Sequence, residues 1–121
     1  VIEPLYGYLI LSVRLFQEKS NYFQSSFNFG PYLESNKTVN QLVYEVSKSW
    51  QIEVIKEKKV NNLHEEKTLN LDITKSLKDL NWSPKWDFSE SVKKTIEWYK
   101  DVYKGDNIIN RCYQDIDEYF D

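Results

Sequence analysis

The sequence predicts a mixed α/β fold, mostly helices with a few short strands, in a single chain of 121 residues. Three observations carry that prediction. Apolar residues recur at helical spacing in several stretches, two of them opened by a capping signature. Three short apolar runs read instead as strands. Gly, Pro and Asn fall between these runs, where the chain needs turns and helix ends.

The elements follow in order. Pro4 suits a first helical turn, where its missing N–H leaves nothing unpaired, and Glu3 favours the positive helix end. Leu5, Tyr8, Leu9, Val13 and Phe16 continue at helical spacing, while Ile10, Leu11 and Leu15 widen the apolar surface beyond one stripe. A helix this greasy expects cover on most sides. Residues 25–30, SSFNFG, read as a short buried strand closed by Gly30-Pro31. Thr38 and Gln41 form a T-x-x-Q capping box ahead of Val39, Leu42, Val43 and Val46, predicting a helix to about Trp50. Ile52 and Val54, then Leu69, Leu71 and Ile73, alternate with polar residues as strands do. The polar run between them reads as an exposed loop. Asp72 or Thr74 can cap a short helix through Leu77 to Leu80, with Asn81 at its left-handed end. Asp87 and Glu90 form a second capping box before Phe88, Val92, Ile96, Tyr99 and Tyr103, and Gly105 ends that helix. Ile109, Cys112, Tyr113, Ile116 and Phe120 repeat the spacing in the tail. The predicted order is helix, strand, helix, strand, strand, helix, helix, helix.

Composition excludes several classes of function. A net charge of −3 supplies no cationic field, so nucleic acid is not an expected partner. No apolar run approaches the roughly 20 residues that a membrane-spanning helix requires, so no membrane partner is expected. One cysteine permits no internal disulfide, which fits a reducing compartment. His64 and Cys112 are the single representatives of their types, too few for a structural zinc site. Cys112 falls on the apolar side of its helix and reads as a buried, inert thiol. No G-x-G-x-x-G or phosphate-loop motif occurs, the three glycines standing far apart at Gly7, Gly30 and Gly105. The acidic tail, Asp115, Asp117, Glu118 and Asp121, lacks calcium-loop spacing and reads as a solvated face. No nucleophile, base and oxyanion site assembles from these residues, so no catalytic residue is expected in the chain. It contains no methionine and opens in mid-pattern, which predicts the C-terminal piece of a longer protein; a mature chain whose first residue was trimmed is the alternative.

In LNWSPKW, residues 80–86, Trp82 and Trp86 flank Pro84. A large aromatic just past a helix end ordinarily packs back on that helix. The expected role is a core hinge; a sugar-stacking platform is the alternative.

The segment from His64 to Lys100 resembles the C-terminal region of extended short-chain dehydrogenases/reductases. It has a strand ending in Asp72, a short helix with Lys75, a Leu80-Asn81-Trp82-Ser83-Pro84 turn and a helix ending in Trp98-Tyr99. Asn81 stands where that pattern has Gly. Within the superfamily, VIEPLYGYLIL, FNFGP and HEEKTLNLD are most similar to the CDP-glucose 4,6-dehydratases, with V-x-EPL-x-GYL the most specific element. The resemblance implies a part in converting CDP-glucose to CDP-4-keto-6-deoxyglucose. In that family NAD takes hydride from C4, water leaves across C5 and C6, and hydride returns to C6. It implies that residues 1–30 pack on a missing N-terminal Rossmann domain, FNFG completing its sheet, and that residues 31–121 form a substrate-binding lobe. NAD would belong to the full-length protein, with no cofactor held by this chain alone. The nucleotide sugar would meet His64, Glu65 and Lys67, of which His64 and Lys67 can donate to a diphosphate. A solvated loop is the alternative for those three residues. Also implied are a cytoplasmic location, a setting in polysaccharide synthesis, and a full-length homodimer joined through helices outside this segment. Two other readings stand beside this one: another sugar-nucleotide epimerase or dehydratase, or a non-catalytic protein-interaction domain.

Overall fold

Helix α1, Ile2–Gln17, starts where Pro4 and Glu3 place a first turn, and its apolar positions cover both flanks of the axis. The computed structural model describes residues 1–19, 21–51 and 70–121. After short 3-10 turns at Asn21–Phe23 and Leu33–Ser35 come α2, Val39–Ser49; α3, Thr74–Asp79; α4, Phe88–Lys104; and α5, Ile108–Phe120. No helix among the described residues is long and apolar enough to cross a membrane.

The helix ends are made by the expected side chains. Thr38 and Gln41 form the reciprocal box: the Thr38 N–H donates to Gln41 Oε1 at 2.8 Å, and the Gln41 N–H donates to Thr38 Oγ1 at 3.3 Å. Removing such a cap by Thr38→Ala is expected to lower stability by about 1 kcal/mol, read as a shifted urea midpoint at unchanged slope. The second box is half made, with Asp87 Oδ1 accepting the Glu90 N–H at 2.8 Å. Gly105 closes α4 at φ 86°, and Asn81 takes φ 51° just past α3, as the turn after Leu80 requires.

The strand expectation is corrected. Among the described residues there is no strand, so this part of the predicted α/β fold is helical. Residues 26–30 and 70–73 carry no regular element, and side chains replace a ladder between them. Asn28 Nδ2 donates to the Asp72 carbonyl at 3.0 Å, and the fully buried Ser76 donates from Oγ to the Asn28 carbonyl at 2.5 Å. The alternating Phe27 and Phe29 serve core packing: both lie against the cluster of Phe23, Ile73, Leu80 and Trp82. The predicted strand at Ile52 and Val54, and the start of the next at Leu69, lie outside the described residues.

Trp82 answers the question raised by its turn. It is 1% exposed, meets Phe29 edge-on at 5.0 Å and donates from Nε1 to the Glu3 carbonyl at 3.3 Å. It is a core hinge. Trp86 is half-buried and meets Tyr119 edge-on at 5.1 Å.

Two packed groups result. The first joins α1, the turn at Asn21–Phe23, α3 and Trp82. The second is a helical layer in which α4 packs on α2 and on α5. Arg111 ties α5 to α4: its guanidinium pairs with Asp101 at 3.0 Å and Asp115 at 2.7 Å, with Glu97 at 3.7 Å. The wide apolar surface of α1 has partial cover among the described residues, leaving Leu9 63% and Phe16 92% exposed.

Candidate functional site

The three residues that the sequence proposes against substrate, His64, Glu65 and Lys67, lie outside the described residues. Asn70 to Thr74 follow them closely in sequence and form, with Pro31, Tyr32 and Leu33, a groove of about 350 Å³. Asn36 and Asn70 pair through their side chains nearby. Asp72, the acidic residue of this groove, is committed to structure. Its carboxylate accepts the Thr74 N–H at 2.9 Å, and the Thr74 hydroxyl and N–H together hold its pKa below the ordinary value of 3.8. Helix α3 has Ile73 at its N-cap and no side-chain cap, so the expected Asp72 or Thr74 cap is corrected; an anion held as Asp72 is has no proton to give as a general acid at neutral pH.

A second concavity, about 440 Å³ and mainly apolar, opens where the two packed groups meet. Val1, Ile2 and Leu5 of the α1 end face Cys112 and Ile116 of α5, with Trp86 and Trp98 between them. Its charged residues have partners already: Lys94 with Glu118, and Asp115 with Arg111. The tail carboxylates Asp115 and Glu118 are therefore ion-paired, beyond the solvated face expected for them. The expectation of a buried Cys112 is corrected. The thiol is exposed, because the apolar side of α5 borders this cleft and not a covering element. Apolar spacing reports which side of a helix is greasy, without reporting what lies against it.

Between the two groups sits the best-connected carboxylate among the described residues. Glu3 Oε1 accepts the N–H groups of Lys85 at 2.9 Å and Trp86 at 2.7 Å, and Oε2 accepts the Tyr119 hydroxyl at 2.6 Å. Lys85 Nζ donates to the Tyr119 carbonyl at 2.6 Å and lies over the Tyr119 and Phe120 rings. Tyr119 is 1% exposed, and burial, followed by the hydrogen bond and charge of Glu3, raises its pKa far above the ordinary 10.0. A raised phenol keeps its stabilising contribution below the unfolded-state value and loses it as pH rises beyond. Stability is thus expected to fall as pH climbs above 10, and Tyr119→Phe to flatten that fall in alkaline urea titrations. Sequence reasoning saw in Glu3 only a charge at a helix end. Its signal was its place in V-x-EPL-x-GYL; Lys85 and Tyr119 carried none.

A dinucleotide cradle does not fit these residues. Gly7 lies under the Phe29 ring, Gly30 against Leu71 and Ile73, and Gly105 ends a helix, which accounts for all three glycines.

No family model matches the chain. It is similar to the C-terminal part of CDP-glucose 4,6-dehydratase from Salmonella typhimurium, 31% identical over 125 aligned residues. The alignment takes in 98% of this chain and 33% of that protein, so the chain spans about a third of the relative's length.

Proposed function

We propose that this chain is the nucleotide-sugar side of an NAD-dependent lyase of the extended short-chain dehydrogenase/reductase type, converting CDP-glucose to CDP-4-keto-6-deoxyglucose in the cytoplasm. The observation that carries the reading is similarity along 98% of the chain to a protein of that activity. Catalytic and NAD-holding residues belong to a preceding Rossmann domain, and the chain is inactive by itself. Residues 1–30 pack on that domain. Two features support this: the open apolar surface of α1 and the unladdered residues 26–30, which have the composition of a buried strand. Residues 31–121 form the substrate lobe, where His64, Glu65 and Lys67 meet the nucleotide sugar, His64 and Lys67 as donors to the diphosphate.

The test uses the protein that carries both parts. It should consume CDP-glucose in preference to UDP-, GDP- and dTDP-glucose. Lys67→Ala and His64→Ala should each raise KM on the order of tenfold with kcat nearly held, the pattern of lost uniform binding. A protein that turns over another sugar nucleotide faster, or variants with unchanged KM, would overturn the assignment.

A further inference from the structure

We infer that Glu3 and Tyr119 form a clasp that straps α5 across the apolar cleft, so that the cleft's width is set at one fastened helix end. Burial along α5 points to this. Its apolar positions are largely open, with Ile109 65%, Tyr113 63% and Ile116 42% exposed, whereas Tyr119 is 1% exposed. The helix is fixed on one side by its packing on α4 and, toward α1, at its last turn.

The fastening is cooperative in its geometry. One carboxylate serves three partners from two distant segments: the backbone at Lys85 and Trp86 through Oε1, and Tyr119 through Oε2. Lys85 closes the ring by holding the Tyr119 carbonyl. Tyr6 completes the seat, meeting Tyr119 edge-on at 5.8 Å and Phe120 at 5.2 Å. Ile2 and Leu5 on one cleft wall flank Glu3 in α1, and Ile116 on the other lies one turn before Tyr119. Releasing the clasp therefore frees one wall from the other while the α2–α4 packing stays intact. Glu3 and Tyr119 act here as positioning residues, through the walls they hold.

Hydrogen exchange on the full chain tests the coupling. Tyr119→Phe keeps the ring and removes the hydroxyl. It should speed exchange of the Lys85 and Trp86 amides on the order of tenfold, together with the last turn of α5, and leave α2 unchanged. Faster exchange confined to α5, with Lys85 and Trp86 as in the parent, overturns the clasp. Should Tyr119→Phe fail to fold by circular dichroism, Lys85→Gln, which removes the contact to the Tyr119 carbonyl, is read by the same criterion. Cleft width is read with a bimane fluorophore on Cys112, the single cysteine of the chain. Trp86 and Trp98, which share the cleft with Cys112, quench it in the parent. Tyr119→Phe should relieve that quenching, and an unchanged intensity overturns the strap.

Discussion

Trp82→Ala is expected to destabilise the chain severely. The indole is 1% exposed within the core formed with Phe23, Ile73 and Leu80. Truncating a buried tryptophan costs about 3–5 kcal/mol, a large share of a total near 5–15 kcal/mol. The loss also strips the Glu3 carbonyl of its indole donor and Phe29 of its edge-on neighbour. Trp82→Phe keeps much of the apolar volume and loses the N–H, so it should fold with a lowered urea midpoint. Circular dichroism during urea unfolding checks both variants. A Trp82→Ala chain within about 1 kcal/mol of the parent would show that the turn is not the core hinge.

Gly7→Ala should also destabilise, against the local rule. Within a helix, alanine is favoured over glycine by about 1 kcal/mol. Here a methyl group would overlap the Phe29 ring, which lies directly against Gly7. Overpacking of that kind typically costs about 1–3 kcal/mol, enough to reverse the propensity gain. The double variant Gly7→Ala/Phe29→Leu makes room for the methyl group, and should recover part of the loss as a non-additive coupling. A stabilised Gly7→Ala chain would remove the close approach from the account of the fold.

Helix positions were legible because their signals are local. Thr38 with Gln41, Asp87, Asn81 and Gly105 each act within a few residues, and each ends or starts a helix as its chemistry dictates. What alternation could not distinguish was a strand from an irregular segment whose aromatic residues point into a core. Phe27 and Phe29 have the right spacing for either, and Asn28 and Ser76 supply from side chains what a neighbouring strand would otherwise have provided. Cys112 was misread for a related reason: periodicity assigned its side of α5 but could not show that this side borders a cleft. The Glu3–Tyr119 bond joins residues 116 apart, and no window along the chain contains both. Of the candidate site, the resemblance offers His64, Glu65 and Lys67, which lie outside the described residues, while the connections of Glu3 required three dimensions.

That span has a consequence for synthesis. A ribosome releases the chain from its amino end, at about 5–20 residues each second. Helix α1 emerges well before its partners: Trp82, Lys85, Trp86 and Tyr119 all bond to Glu3 within its first turn. Glu3 must wait, with its carbonyl and carboxylate lacking these donors, until nearly all of the residues described here have followed it. Contacts of such high sequence separation close late and slowly. The interval before Tyr119 appears is therefore when this chain has most need of a chaperone.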